Sequence, residues 1–450
     1  MVYTQPFPPP APPRRRWGRW ALGGTLVAVV VALALLFTSG RLGAIIDLAA
    51  GRSPSASPTQ STPGVQDLSP FYEALNAALA DRDRDLFFSH VTGAAVEPLE
   101  LWWDNMDRLG WSTAAVTYAS EGDRWALGPT ARIQVLLGAD MSYPQRGRNS
   151  SGAVTTMGFP YDATVDLSGA PVITEWVAVG GVRPWDVGPL EVVVGEGAVV
   201  AGLPEEREYL ERLLPIAAEA SAWTRSDYLI QRQQAPPCAG FLLFATMDPS
   251  RFATWFRGEE SEPWVIDPAA ITFSGNLPQP GTPGLDPALA TGLWPSGGLV
   301  SVGPAGTGSD DAVTGLLVHE FAHVLQAIDT PSRAVSPPLS TLEGWADYQF
   351  LRFANGGPYP TSGPMGEYIG RCVSGPPAVP TDDDLRGEDS KCAYALASTL
   401  FAYAEQAGVP AIELVDEAAE HGVAPFGAAQ RLGTSLAEED WATWVLATYG

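Results

Sequence analysis

Histidine, cysteine and positive charge are all scarce in this 450-residue chain, which has four His, three Cys, and 26 Lys plus Arg against 51 Asp plus Glu. It contains no C-x-x-C pair and no Cys/His cluster, which excludes a structural zinc module of the finger type. The formal net charge is −25, and the first twenty residues carry four Arg and no acid, so the remainder stands at −29 by subtraction. A surface of that sign repels nucleic acid and anionic membrane, and neither is expected as a partner of the main body. No internal repeat is present. Hydrophobic residues nonetheless make up 46% and charged residues 17%, so the chain is globular and long enough for two or more domains with proper cores.

The N-terminal region differs from the rest. Residues 1–20 form a Pro- and Arg-rich tail ending Arg14-Arg15-Arg16-Trp17-Gly18-Arg19-Trp20. Ala21–Phe37 is unbroken apolar sequence, with no charge between Arg19 and Arg41. A run of about twenty such residues is what a helix needs to cross a bilayer. The Arg cluster places the tail in the cytoplasm, and Trp17 and Trp20 suit the interface. A cleaved signal peptide is the competing reading, against which stand the length of the run and the poor cleavage site at Phe37-Thr38-Ser39-Gly40-Arg41. The expectation is a single transmembrane helix over 21–38, with the body outside the cytoplasm under either reading. A Ser/Pro-rich linker over 39–66, including SPSASPTQSTPG at Ser53–Gly64, would let the body stand off the membrane.

The body reads as α+β. Over 67–182, helices are expected at Leu68–Leu79, Ala80–His90 and Glu97–Leu109. Strands follow at Ser112–Ser120, Arg124–Leu137, Ala153–Leu167 and Val172–Val179. Helices followed by a run of strands imply a layer of helices on one face of a curved antiparallel sheet. That order resembles the cone-like nuclear-transport-factor and cystatin-like folds, a likeness of topology that carries no activity. The acidic and Arg residues at 81–85 read as a solvated helix face. Over 183–450 an α/β lobe is expected first, with strands at Leu190–Val194, Ala198–Gly202 and Gly240–Thr246. Helices are expected at Glu205 to about Trp223 and at Arg251–Phe256, the latter capped by Asp248 or Ser250. A Gly/Pro-rich stretch (Ile271–Gly292) and a short apolar strand at Leu299–Val302 complete that lobe. A C-terminal helical lobe follows, with helices at Leu342–Ala354, Cys392–Ala407, Ala411–His421 and Leu436–Tyr449, and a Gly/Pro-rich loop at Gly356–Gly387.

Two of the four His lie in His319-Glu320-Phe321-Ala322-His323, an H-E-x-x-H motif in a helical segment that Ser309, Asp310 and Asp311 are suited to cap. His90 and His421 are isolated and read as surface or satisfied core residues. On a helix, His319 and His323 fall one turn apart on one face, so both imidazoles can reach one metal ion. Glu320 beside them is placed to take a proton from a water. The flanks are apolar, and burying three titratable groups unpaired costs several kcal/mol, a cost that a metal offsets. After nineteen intervening residues comes Glu343-Gly344-Trp345-Ala346-Asp347, on a segment that can return antiparallel to the first. Asp347, one turn beyond Glu343, can accept the outer N–H of a ligating His.

His319, Glu320 and His323 followed by Glu343 and Asp347 resemble the gluzincin metallopeptidases, the thermolysin- and aminopeptidase-like superfamily, most specifically over Leu299–Phe350. The resemblance implies Zn2+ held by His319, His323 and Glu343, with Glu320 as general base and Asp347 steadying one His. It also implies an oxyanion-stabilising Tyr on a later helix, for which Tyr394 is the candidate and Tyr403 and Tyr368 are alternatives. By position, Leu299–Val302 resembles the edge strand to which peptide substrates add. No G-A-M-E-N-like stretch precedes the motif, so free-N-terminus aminopeptidase activity is not expected. A metzincin arrangement would instead recruit Asp329, but needs Gly where this chain has Gln326. Cys372 and Cys392 flank the long loop and are expected to pair in an oxidising compartment, leaving Cys238 free or buried, although three Cys alone do not settle the pairing. The expected activity is cleavage of a peptide or protein substrate. A zinc hydrolase of a non-peptide bond and a catalytically weak zinc-containing binding protein are the alternatives.

Overall fold

The structure is a computed structural model and describes residues 65–142, 153–236, 238–255, 270–274, 298–304, 308–329, 337–387 and 390–450, which belong to one compact unit. The basic tail, the apolar run over 21–38 and the linker as far as residue 64 lie outside the described residues. Among the described residues no helix is long and apolar enough to cross a membrane.

The described residues form a mixed α+β structure. Strand β1 (Val65–Asp67) takes in the last two residues assigned to the linker. Helices α1 (Ser69–Asp81) and α2 (Val96–Leu109) follow. Phe71, Leu75 and Leu79 on α1, and Leu99, Trp102, Met106 and Leu109 on α2, repeat every three or four residues, and all are buried. They cover a four-stranded antiparallel sheet built from β2 (Trp111–Tyr118), β4 (Thr130–Ser142), β5 (Ala153–Asp166) and β6 (Val172–Ala178), in the order β2-β4-β5-β6. A short strand, β3 (Trp125–Leu127), pairs with β1. Alternate residues, among them Ile133, Val135, Leu137, Tyr161, Ala163 and Val165, enter the core. Residues 81–85 are largely exposed, as expected, but span the junction of two helices rather than one helix face. Arg82 turns left-handed at φ 53°, and Asp83 caps a five-residue helix by accepting from the Leu86 N–H. Arg82 and Arg84 pair with Asp107 and Asp104 of α2.

The second sheet has five strands in the order β10-β11-β9-β8-β7. They are β7 (Glu191–Gly195), β8 (Ala198–Gly202), β9 (Phe241–Ala245), β10 (Ala270–Ser274) and β11 (Gly298–Val302). Pairing is parallel for β8–β9 and β9–β11 and antiparallel at both flanks. Both faces are buried, which explains why β8 and β9 are continuously apolar. Val199, Ala201, Leu242 and Phe244 join the core of the first sheet, whereas Val200, Phe241, Leu243, Val300 and Val302 face the helices on the other side. Leu299–Val302 was expected at the edge but lies within β11, between β9 and β10. Its backbone groups are already paired on both sides. The edge on that side is β10, formed from the start of the stretch read as a Gly/Pro-rich connection.

Helix α3 (Arg207–Arg232) packs on this sheet and runs nine residues beyond its expected end at Trp223. Its last turns bury Thr224 and Asp227 alongside Tyr228 while Leu229 and Ile230 stay exposed, so hydrophobic periodicity stops where the helix does not. Asp227 pairs with Arg352 at 2.7 Å, and Arg232 makes a two-pronged pair with Asp416 at 2.6 and 2.7 Å. Beyond β11 come α4 (Asp310–Asp329), α5 (Leu339–Ala354), α6 (Gly363–Arg371), α7 (Ser390–Gln406), α8 (Ala411–His421) and α9 (Glu438–Tyr449). Helix α6 lies inside the stretch read as a loop, because its three glycines are poor helix formers. Tertiary contacts hold it: Ile369 is fully buried, and a side chain at Gly370 would approach the Tyr449 carbonyl within 2.9 Å.

Candidate metal centre

Helix α4 carries the motif, and three features fix its position. Ser309 Oγ accepts from the Ala312 N–H at 3.4 Å, close to its first turn. Phe321 stacks on Phe241 of β9 with ring centroids 3.9 Å apart. Gly315 lies so close to α5 that a Cβ there would come within 2.5 Å of the Phe350 ring. The close approach of α4 and α5 brings Glu343 to the histidines. A second close approach follows at Gly344, where a Cβ would lie 2.8 Å from the Ala397 carbonyl oxygen of α7. The glycine between Glu343 and Trp345 therefore lets α7, and Tyr394 with it, lie against the helix that carries Glu343.

Nε2 of His319 and Nε2 of His323 are 3.2 Å apart, and each is 3.3 Å from Oε2 of Glu343. Zinc–nitrogen and zinc–carboxylate bonds of about 2.0–2.1 Å at tetrahedral angles place donor atoms roughly 3.3–3.4 Å apart. The triangle matches one face of such a tetrahedron, so this donor set fits a zinc ion. Asp347 lies 3.5 Å from Nδ1 of His319, placed to accept a proton from that nitrogen, an arrangement in which Nε2 can serve a metal ion. Glu320 is buried on the same helix. The Tyr394 ring lies 6.1 Å from that of His319.

Burial opposes charge on His319, but Asp347, Glu343 and Glu320 outweigh it and push the imidazole up to about 10. Burial would likewise raise Glu343, yet His323 and His319 hold it well below the usual carboxylate range. Three carboxylates around two imidazoles form a site that favours added positive charge, whether supplied by a proton or by a metal ion. Burial, together with Glu343, Asp347 and Glu320, raises the Tyr394 phenol well above its ordinary value, so its hydroxyl remains a donor.

The chain matches no protein-family model and no curated protein. The site geometry therefore stands by itself.

The structure brings His319, His323, Glu343 and Asp347 together, with Tyr394 beside them. Of the alternatives to Tyr394, Tyr368 directs its hydroxyl to the Lys391 carbonyl and Tyr403 packs on Trp444. Helix α4 continues unbroken through Gln326 to Asp329, without the break that a metzincin third ligand needs. Cys372 and Cys392 are joined, and Cys238 is buried and free of any disulfide. The structural roles of Gly315 and Gly344 had no signal in hydrophobic periodicity. Each is an internal helix glycine whose value appears only against a neighbouring helix.

Proposed function

We propose that this protein is a gluzincin-like zinc metallopeptidase acting outside the cytoplasm on peptide or protein substrates. The observation that carries this reading is the triangle of His319, His323 and Glu343 donor atoms, sized for a tetrahedral ion and backed by Asp347. Bound zinc would supply Lewis-acid polarisation and lower the pKa of a coordinated water. The protein's own groups supply the rest. Glu320 takes the proton from the attacking water and returns it to the leaving amine. Asp347 holds His319 in the tautomer that presents Nε2. The Tyr394 hydroxyl, kept protonated by burial and by its acidic neighbours, donates to the oxygen on which negative charge develops. The cellular address rests on the apolar run at 21–38, which would hold the body at the membrane through one N-terminal helix.

Metal analysis of the purified body, paired with chelator-sensitive cleavage of a diverse peptide library, tests the reading. One zinc per chain and cleavage abolished by chelation are expected. Glu320→Gln should retain the zinc and lose about 10²- to 10⁴-fold in turnover. Unchanged turnover with zinc retained would sink the hydrolytic reading in favour of a binding protein. A non-peptide substrate cleaved in preference to every peptide would reassign the bond. Zinc lost in Asp329→Ala but kept in Glu343→Ala would overturn the ligand set.

A further inference from the structure

The first turn of a helix is its weakest part, because the first four backbone N–H groups have no partner within the helix. Tyr394 stands just past that turn in α7, so its position depends on what holds residues 390–393. The Ser390 N–H donates to the Gly387 carbonyl at 3.2 Å, and two further ties come from α6. Cys392 is covalently joined to Cys372, which caps the C-terminal end of α6. The Tyr368 hydroxyl, also on α6, donates to the Lys391 carbonyl at 3.0 Å. Helix α6 is a fixed post: Ile369 is fully buried, Gly370 abuts the Tyr449 carbonyl, and the Tyr449 hydroxyl donates to the Pro360 carbonyl at 3.0 Å. From the other side, Gly344 gives α7 close contact with the helix of Glu343 at Ala397, one turn beyond Tyr394.

We propose that the Cys372–Cys392 disulfide and Tyr368 are positioning groups for Tyr394, holding its ring beside His319 for the hydrolytic step without contributing to metal binding. This inference rests on the metallopeptidase reading for its catalytic consequence, whereas its structural content stands apart from that reading. The metal donors lie on α4 and α5, which close on each other through Gly315 and Phe350, so loosening the start of α7 leaves them in place. Displacement of a catalytic group by about 1 Å can cost on the order of a hundredfold in rate.

The test compares Cys372→Ala/Cys392→Ala, Tyr368→Phe and Tyr394→Phe, each zinc-loaded, with a quenched fluorescent peptide library as substrate. The disulfide-free protein should lose roughly 10- to 100-fold in kcat, with KM within about twofold and zinc stoichiometry unchanged. Tyr368→Phe should show a smaller loss of the same kind. In the Tyr394→Phe background, removing the disulfide should cause no further loss, because its effect passes through that hydroxyl. The readout independent of activity is amide hydrogen exchange: protection of residues 394–397 should fall in the disulfide-free protein while that of 319–325 holds. An unchanged kcat, an equal loss in the Tyr394→Phe background, or zinc loss in step with activity would overturn the proposal. Should the alanine pair fail to fold, the reduced wild-type protein and Tyr368→Phe carry the same comparison. If wild-type protein cleaves no peptide, the metallopeptidase reading fails, and hydrogen exchange still decides whether the ties hold Tyr394.

Discussion

Two places in the described residues gather His and carboxylate donors closely enough to hold an ion: His319, His323 and Glu343, and Glu417, Glu420 and His421. The first draws on two helices, is largely buried and has Asp347 behind it. The second sits on the single helix α8, its Glu420 and His421 are exposed, and Glu417 is already engaged by Arg431 at 2.6 Å and His421 at 3.1 Å. Donor identity and proximity are therefore common to both. The difference lies in burial and in which charged neighbours the donors have. In the first cluster excess acid is shielded from water and favours a metal; in the second, solvent and Arg431 satisfy it.

Metal content should break or confirm this contrast most sharply. His323→Ala and Glu343→Ala are each expected to lower zinc affinity by more than the 10- to 100-fold typical of losing an outer partner. His421→Ala and Glu420→Ala should leave it unchanged, as read by zinc titration. Equal losses in both sets would erase the distinction. A pH series on metal-free protein gives the next largest effect. His319 is raised from 6.5 to about 10 in the folded state, so the folded form binds the extra proton. The stability this brings is complete below 6.5 and is lost as pH rises through about 10. At about 1.4 kcal/mol per unit the loss amounts to a few kcal/mol, visible as a falling Tm in chelator-treated protein and absent once zinc occupies the site. A flat profile in the stripped protein would contradict the electrostatic account.

Asp347→Asn should cost roughly 10- to 100-fold in zinc affinity, measured by competition with a chromophoric chelator. Gly344→Ala, which forces a methyl against the Ala397 carbonyl, should destabilise the fold by about 1–3 kcal/mol in denaturant titration. It should also lower turnover more than the same substitution at the exposed Gly356, which has open space around it. Arg431→Ala, which removes the half-exposed pair with Glu417, should change stability by less than about 1 kcal/mol.

Much of the fold could be read from patterns that depend on neighbours in sequence. The buried repeats of α1 and α2, the alternating strands β2, β5 and β6, and the span of α8 all follow from helical or strand periodicity. What periodicity missed had a non-local cause. Helix α3 extends to Arg232 because Arg352 and Asp416, more than a hundred residues away, accept its polar face. Strand β10 exists because β11 offers it an edge, and α6 forms from a Gly-rich segment because Tyr449 and Ile369 fix it. Of the site, the histidine pair and Glu320 were legible in five consecutive residues, since a helix alone places i and i+4 on one face.

The sequence by itself determined which donors this protein has and which of them share a helix face, because those relations depend only on local backbone geometry. Tertiary structure decided the rest. It brought Glu343 within 3.3 Å of both imidazoles, seated Tyr394 beside His319, and left the α8 cluster in solvent. The reason is physical: convergence across helices depends on how closely their backbones approach. That is governed here by Gly315 and Gly344, whose missing side chains acquire meaning only when another helix packs against them.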